Sequence, residues 1–197
     1  MSLPLLLASS SVYRKQLLEK LQLPFACANP NIDESMLLNE DPHDYVQRLS
    51  IEKAKALQDE FPNHLIIGSD QCAVIQVNDQ QQILGKPHSV KKAIEQLSQA
   101  SGKTVTFLTG LCVYNSATQQ EISLVEPFIV HFRDLTLQQI ERYIEQEKPL
   151  DCAGSFKSEG LGIRLFSALE GRDPNSLVGL PLIALVDLLE QQGIRVL

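Results

Sequence analysis

The segment Leu65–Val77 is apolar at both ends and carries Gly68-Ser69-Asp70-Gln71 in its middle. Leu65-Ile66-Ile67 leads in and Ala73-Val74-Ile75-Gln76-Val77 leads out, both as strand patterns. Any fold that buries those strands must also accommodate a carboxylate between them, at a cost unless it is hydrogen-bonded or binds a metal. Gly68 lets backbone or ligand approach closely at that point. Two readings follow: a turn Asp where two strands meet, or a working carboxylate at the edge of a cleft.

At 197 residues the chain can bury a core as one domain, residues 1–197, drawn out into two lobes. Strand and helix patterns alternate, which predicts an α/β fold with a mixed central sheet flanked by helices. Strands are expected at Leu3–Leu7, Phe25–Ala28, Thr104–Tyr114 and Glu121–Phe132. Helices are expected from Val12 to Leu21, from Asp41-Pro42 through Leu57, over Val90–Ala100 after Ser89, over Leu137–Gln146 after Thr136, and over Leu182–Gln191. Asp151–Gly162 is a glycine-punctuated loop.

The formal charge of −7 argues against non-specific nucleic-acid or membrane-surface binding. No apolar run is long enough to span a bilayer, and the apolar N-terminal stretch lacks a basic flank, so it reads as a first strand. Cys27, Cys72, Cys112 and Cys152 are far apart with no CxxC pair, which suits free thiols in a reducing cytoplasm.

Several residues suit phosphate chemistry. Leu7-Ala8-Ser9-Ser10-Ser11-Val12-Tyr13-Arg14 runs a strand into serines at a helix N-terminus, with an arginine one turn in. Ser9 and Arg14 could hold an anion there, although a serine cap with a surface arginine has the same pattern. The glycines of a Walker loop or a dinucleotide fingerprint are absent. Asp33-Glu34 offers hard oxygen ligands for Mg²⁺ or Mn²⁺, or is a solvated acidic loop. Lys53 and Lys86 could each neutralise phosphate charge, or lie on the surface. Glu159, in the loop Cys152–Gly162, could accept hydrogen bonds from a base edge.

Taken in order, these segments, with Asp33-Glu34-Ser35, Glu52-Lys53-Ala54, Gly85-Lys86-Pro87 and Ser176-Leu177-Val178-Gly179-Leu180-Pro181, resemble the Maf family of nucleotide pyrophosphatases over essentially the whole chain. The resemblance implies a two-lobed, inosine-triphosphatase-like fold around a nucleotide cleft, often homodimeric. It also implies metal-dependent cleavage of nucleoside triphosphates to monophosphate and diphosphate. By the same resemblance Asp70 is the proton acceptor and a metal ligand with Glu34, while Ser9, Arg14, Lys53 and Lys86 hold the triphosphate. A non-catalytic, nucleotide-binding regulator of septum formation is the other role it implies.

The family's dTTP- and UTP-cleaving branch carries arginine, threonine and glutamine where this chain has Tyr13, Gln71 and Glu159. The chain looks instead like the branch that cleaves 7-methyl-GTP. The cationic 7-methylguanine ring would gain about 0.5–2 kcal/mol by stacking on Tyr13. Glu159 would accept from its N1–H and exocyclic amine, and Gln71 would help place base or sugar.

Overall fold

A computed structural model of the chain describes residues 3–78 and 80–197. The elements run β1 (Leu5–Ala8), α1 (Val12–Glu19), β2 (Phe25–Ala28), α2 (Pro42–Lys55), β3 (Leu65–Val77), β4 (Gln80–Leu84), α3 (Val90–Ala100), β5 (Thr104–Asn115), β6 (Gln120–Phe132), α4 (Leu137–Glu147), β7 (Phe166–Glu170) and α5 (Leu182–Gln191), with short 3₁₀ turns between α4 and α5. The sheet has the order β2-β1-β3-β5-β6-β7, with β4 paired to β3. It is mixed: β1 is parallel to β2 and β3, whereas β3–β4 and β6–β7 are antiparallel. Among the described residues no helix is long and apolar enough to cross a membrane.

The chain divides into two compact units, and β3, β5 and β6 each contribute residues to both. The first unit comprises the residues up to Gln71, Thr109–Glu126 and Asp173–Leu197. Its strands alternate with period two. Leu5, Leu7, Leu65, Ile67, Leu111 and Val113 pack with α1 and α5, through Leu17, Leu18, Leu185 and Leu189. Leu6, Ala8, Ile66, Cys112 and Tyr114 pack with Ala54 and Leu57, at the C-terminal end of α2. This unit is therefore a helix–sheet–helix sandwich in which both faces of the strands are buried.

The second unit, Cys72–Leu108 and Pro127–Arg172, packs α3 with α4 and is centred on an aromatic cluster. Phe156 meets Phe107, Phe132 and Phe166 edge-to-face, with ring centroids 4.8–5.7 Å apart. The Asp151–Gly162 loop is thus pinned by a buried core residue and includes a 3₁₀ turn at Ala153–Ser155.

Three differences from the sequence reading stand out. The Gly68–Gln71 segment is not a junction between strands, because β3 continues through it for 13 residues. Extended backbone persists there because Ser69, Asp70 and Gln71 each find side-chain partners, described below. β7 is a further strand: among the described residues it pairs only with β6, and four of its five residues are exposed, so its sequence lacks an apolar alternation. The first helix also ends at Glu19, tightening into i→i+3 turns through Gln22.

Candidate functional site

Two glycines decide where α2 lies. A Cβ on Gly68 would stand 2.0 Å from the Ser50 carbonyl oxygen and 2.9 Å from the Ala54 nitrogen. A Cβ on Gly110 would stand 2.0 Å from the Val46 carbonyl oxygen. The helix backbone therefore lies directly against β3 and β5, an approach that only glycine permits. Asp41 caps the helix by accepting from the His43 N–H at 2.8 Å, and Pro42 begins it.

That close approach carries Lys53 inward. Its ammonium, on a residue 4% exposed, donates to Asp70 Oδ1 at 2.6 Å and lies 2.9 Å from Glu34 Oε1. Asp70 is itself buried, while Glu34 reaches in from an exposed loop. Of the acidic pair it is Glu34 that points inward, since Asp33 accepts from the Ser35 N–H within its own turn. Ser35 holds the Asp33 carboxyl below its usual range.

The loop bearing Glu34 is tied to α2. Arg48 grips the Glu40 carboxylate with two bonds, of 2.6 and 2.8 Å, and donates to the Ser35 carbonyl at 3.2 Å. The Tyr45 hydroxyl donates to the Glu34 carbonyl at 3.0 Å. Both residues escaped the sequence reading, although a charged and an aromatic residue one turn apart on a helix beside an acidic loop were a usable signal.

Arg14, one turn into α1, donates from Nε to the Gly179 carbonyl at 2.8 Å. Among the described residues its two Nη nitrogens make no hydrogen bond, so they remain for a ligand. Burial pulls its guanidinium below the ordinary value, and the fields of Asp70 and Glu34 pull it back up. Ser69 Oγ lies 2.9 Å from both the Gly110 and the Gly179 carbonyl oxygens. Ser9 is buried and its hydroxyl accepts from the Ser11 N–H at 3.1 Å.

Gln71 donates through Nε2 to Thr109 Oγ1 at 3.1 Å and to the Ser176 carbonyl, which Thr109 also reaches at 3.1 Å. Its amide nitrogen thus fastens β3 to the turn Pro174–Val178, leaving Oε1 as the group it could offer a ligand. Tyr13 is half-buried on α1.

Seven of the predicted site residues, Ser9, Tyr13, Arg14, Glu34, Lys53, Asp70 and Gln71, belong to the first unit. Lys86 and Glu159 belong to the second. Lys86 is exposed between buried Pro87 and Gly85, whose carbonyl accepts from Gln96 Nε2 at 3.1 Å. Glu159 is exposed on a loop organised by Glu147, which accepts from the Leu161 N–H at 3.0 Å and whose own carbonyl receives Lys157 Nζ at 3.1 Å.

Chemically, the first unit gathers two carboxylates, a buried ammonium and a guanidinium with free donors. Two carboxylate oxygens already converge on one cationic atom. No group of three or more His, Cys, Asp or Glu side chains suited to a metal occurs among the described residues. That donor set fits Mg²⁺ or Mn²⁺, which need only one or two carboxylates when substrate phosphates supply further oxygens.

A search of solved structures finds the same fold in the Ham1 protein of Staphylococcus aureus, with a TM-score of 0.53 and 13% identity over 96% of this chain and 99% of that one. Among curated proteins, the chain is 60% identical over 193 residues to a protein of Colwellia psychrerythraea, covering 98% of this chain and 94% of that protein. It is 59% identical to one of Alcanivorax borkumensis, over 97% and 95% of the two chains, and 56% identical to one of Pseudomonas aeruginosa, over 98% of each. All three relatives bear the name 7-methyl-GTP pyrophosphatase. The family model described as Maf-like protein matches residues 4–192, and the chain belongs to that family.

Proposed function

We propose that this chain hydrolyses 7-methyl-GTP to 7-methyl-GMP and diphosphate, removing a modified nucleotide from the pool. The observation that carries the reading is the Asp70–Lys53–Glu34 arrangement, with Arg14 presenting free donors in the same unit. The names of relatives 56–60% identical over nearly the full chain support the substrate.

In this reading water attacks the α-phosphorus, the bond to the bridging oxygen breaks, and diphosphate leaves. Asp70 accepts the water's proton; a positioned base of this kind contributes about 10²–10⁴-fold. Lys53, Arg14 and Ser9 bind the phosphates and oppose the charge that develops on them. Glu34 and Asp70 would hold Mg²⁺ or Mn²⁺, whose chemistry is charge neutralisation and polarisation of the phosphoryl oxygens. Tyr13 stacks on the cationic base, and Gln71 Oε1 helps place the nucleoside. We further place the protein in the cytoplasm, where its cysteine thiols would stay reduced, acting as a homodimer on free nucleotide without nucleic acid or membrane.

Incubation with 7-methyl-GTP, GTP, dTTP or UTP plus Mg²⁺, followed by diphosphate release, tests this. 7-Methyl-GTP should give the highest kcat/KM. Preference for UTP or dTTP would move the chain to the other branch of the family. Tight binding of every nucleotide without turnover would replace the enzyme by a nucleotide-binding regulator.

A further inference from the structure

We infer that Lys53 is a resident counter-cation, occupying the place between Asp70 and Glu34 until a nucleotide brings the divalent cation, so that metal and nucleotide load together. The inference rests on the nucleotide reading above and concerns the order in which its parts assemble.

The geometry is specific. Lys53 Nζ lies 2.6 Å from Asp70 Oδ1 and 2.9 Å from Glu34 Oε1, where a cation shared by the two carboxylates would also sit. The lysine is 4% exposed and its stem lies on a helix held against the sheet at Gly68 and Gly110. It therefore cannot swing into solvent as a surface lysine does.

A bare Mg²⁺ or Mn²⁺ arriving alone would take both carboxylates from Lys53. The ammonium would then be buried without a partner and close to a dication, and removing one member of a buried pair is strongly unfavourable. Arg14 adds to the opposing field, because Asp70 and Glu34 act on it electrostatically.

A nucleotide changes this balance. Its phosphate oxygens give Lys53 and the free Nη groups of Arg14 new anionic partners, while completing the cation's coordination. Each ligand then strengthens the other to the same degree, as linkage requires. Without nucleotide, the Lys53 ion pairs keep Glu34 and Asp70 facing each other and charge-compensated.

Mn²⁺ serves as the probe, with the free aquo-ion EPR signal measured during titration of the full-length chain. Nucleotide-free Lys53→Met should bind Mn²⁺ roughly 5–150-fold more tightly than wild type. Adding a 7-methyl-GTP analogue with a methylene bridge between the α- and β-phosphates should tighten Mn²⁺ on wild type by a similar factor, and on Lys53→Met by much less. Lys53→Arg, which keeps a cation, should remain weak without nucleotide. Glu34→Gln introduced into Lys53→Met should abolish the gain, locating the ion between the carboxylates.

Equal nucleotide-free affinities for wild type and Lys53→Met would overturn the inference, as would persistence of the gain in the double variant. Should Lys53→Met fail to fold by near-ultraviolet circular dichroism, wild type decides alone: once the analogue's own chelation of Mn²⁺, measured without protein, is subtracted, Mn²⁺ affinity unmoved by the analogue refutes coupled loading. The nucleotide-free titrations do not depend on which triphosphate is cleaved. Failure of the substrate reading therefore shows in diphosphate release and not in them.

Discussion

Gly68→Ala tests how the site is held together. Ordinary contact for a Cβ begins at 3.4 Å, and the Ser50 carbonyl oxygen would lie at 2.0 Å, so α2 and β3 must separate by about 3.4 − 2.0 = 1.4 Å. The obstructing atoms are helix backbone, which cannot rotate aside as a side chain would. Overpacking of this kind costs about 1–3 kcal/mol, and a rigid backbone obstacle places Gly68→Ala at or above the upper end. A domain stabilised by about 5–15 kcal/mol should survive that. The displacement also moves Lys53, three residues from Ser50 on the same helix, away from Asp70. A shift of about 1 Å in a positioning group can lower turnover about 100-fold. Urea denaturation and diphosphate release, measured on Gly68→Ala beside Gly85→Ala, are the assays. Gly85 has nothing within 4 Å of its Cβ position and should tolerate the change. A Gly68→Ala protein within about 0.5 kcal/mol of wild type and fully active would refute the reasoning.

Further tests address other contacts. Asp70→Asn should lower kcat by about 10²–10⁴-fold; near-normal turnover would remove Asp70 from proton transfer. Arg48→Ala should raise the Mg²⁺ concentration needed for half-maximal rate more than it lowers thermal stability, because it frees the loop that presents Glu34. Burial pushes the Cys112 thiol from its ordinary 9.0 up to about 12, so its contribution to stability is complete below pH 9 and is lost as pH rises toward 12. Cys112→Ala should accordingly flatten the loss of stability above pH 9 in urea titrations. Among the described residues Ser176 Oγ is buried without a hydrogen-bond partner, so Ser176→Ala should leave the melting temperature unchanged or raise it.

Where local chemistry decides, the sequence was readable. Asp41-Pro42, Ser89 and Thr136 placed the starts of α2, α3 and α4, and α5 was bounded as expected. Composition cannot show the depth of Lys53, which depends on two glycines in different strands letting one helix approach. By residue type alone Glu34 and Asp33 were equivalent; the family resemblance singled out Glu34, and in the structure Ser35 engages Asp33 instead. Ser69 and Thr109 were illegible as anchors because their partners are carbonyls of residues 176, 179 and 110, distant in the chain. Gly110, a glycine inside an apolar strand, was a signal that could have been used.

The division into compact units also bears on how the chain is made. The chain passes from one unit to the other four times, after Gln71, Leu108, Glu126 and Arg172, so neither unit is a continuous stretch of polypeptide. Leu5, Leu7, Leu65 and Ile67 are translated early, yet Leu182, Leu185, Leu188 and Leu189, which help cover them, come from the segment Asp173–Leu197. Until that segment leaves the ribosome, an apolar face of β1 and β3 is only partly covered. Contacts of such long sequence separation slow folding and prolong exposure to aggregation. A nascent chain arrested before α5 should therefore be a strong chaperone client, even though all the charged residues of its site have already been synthesised.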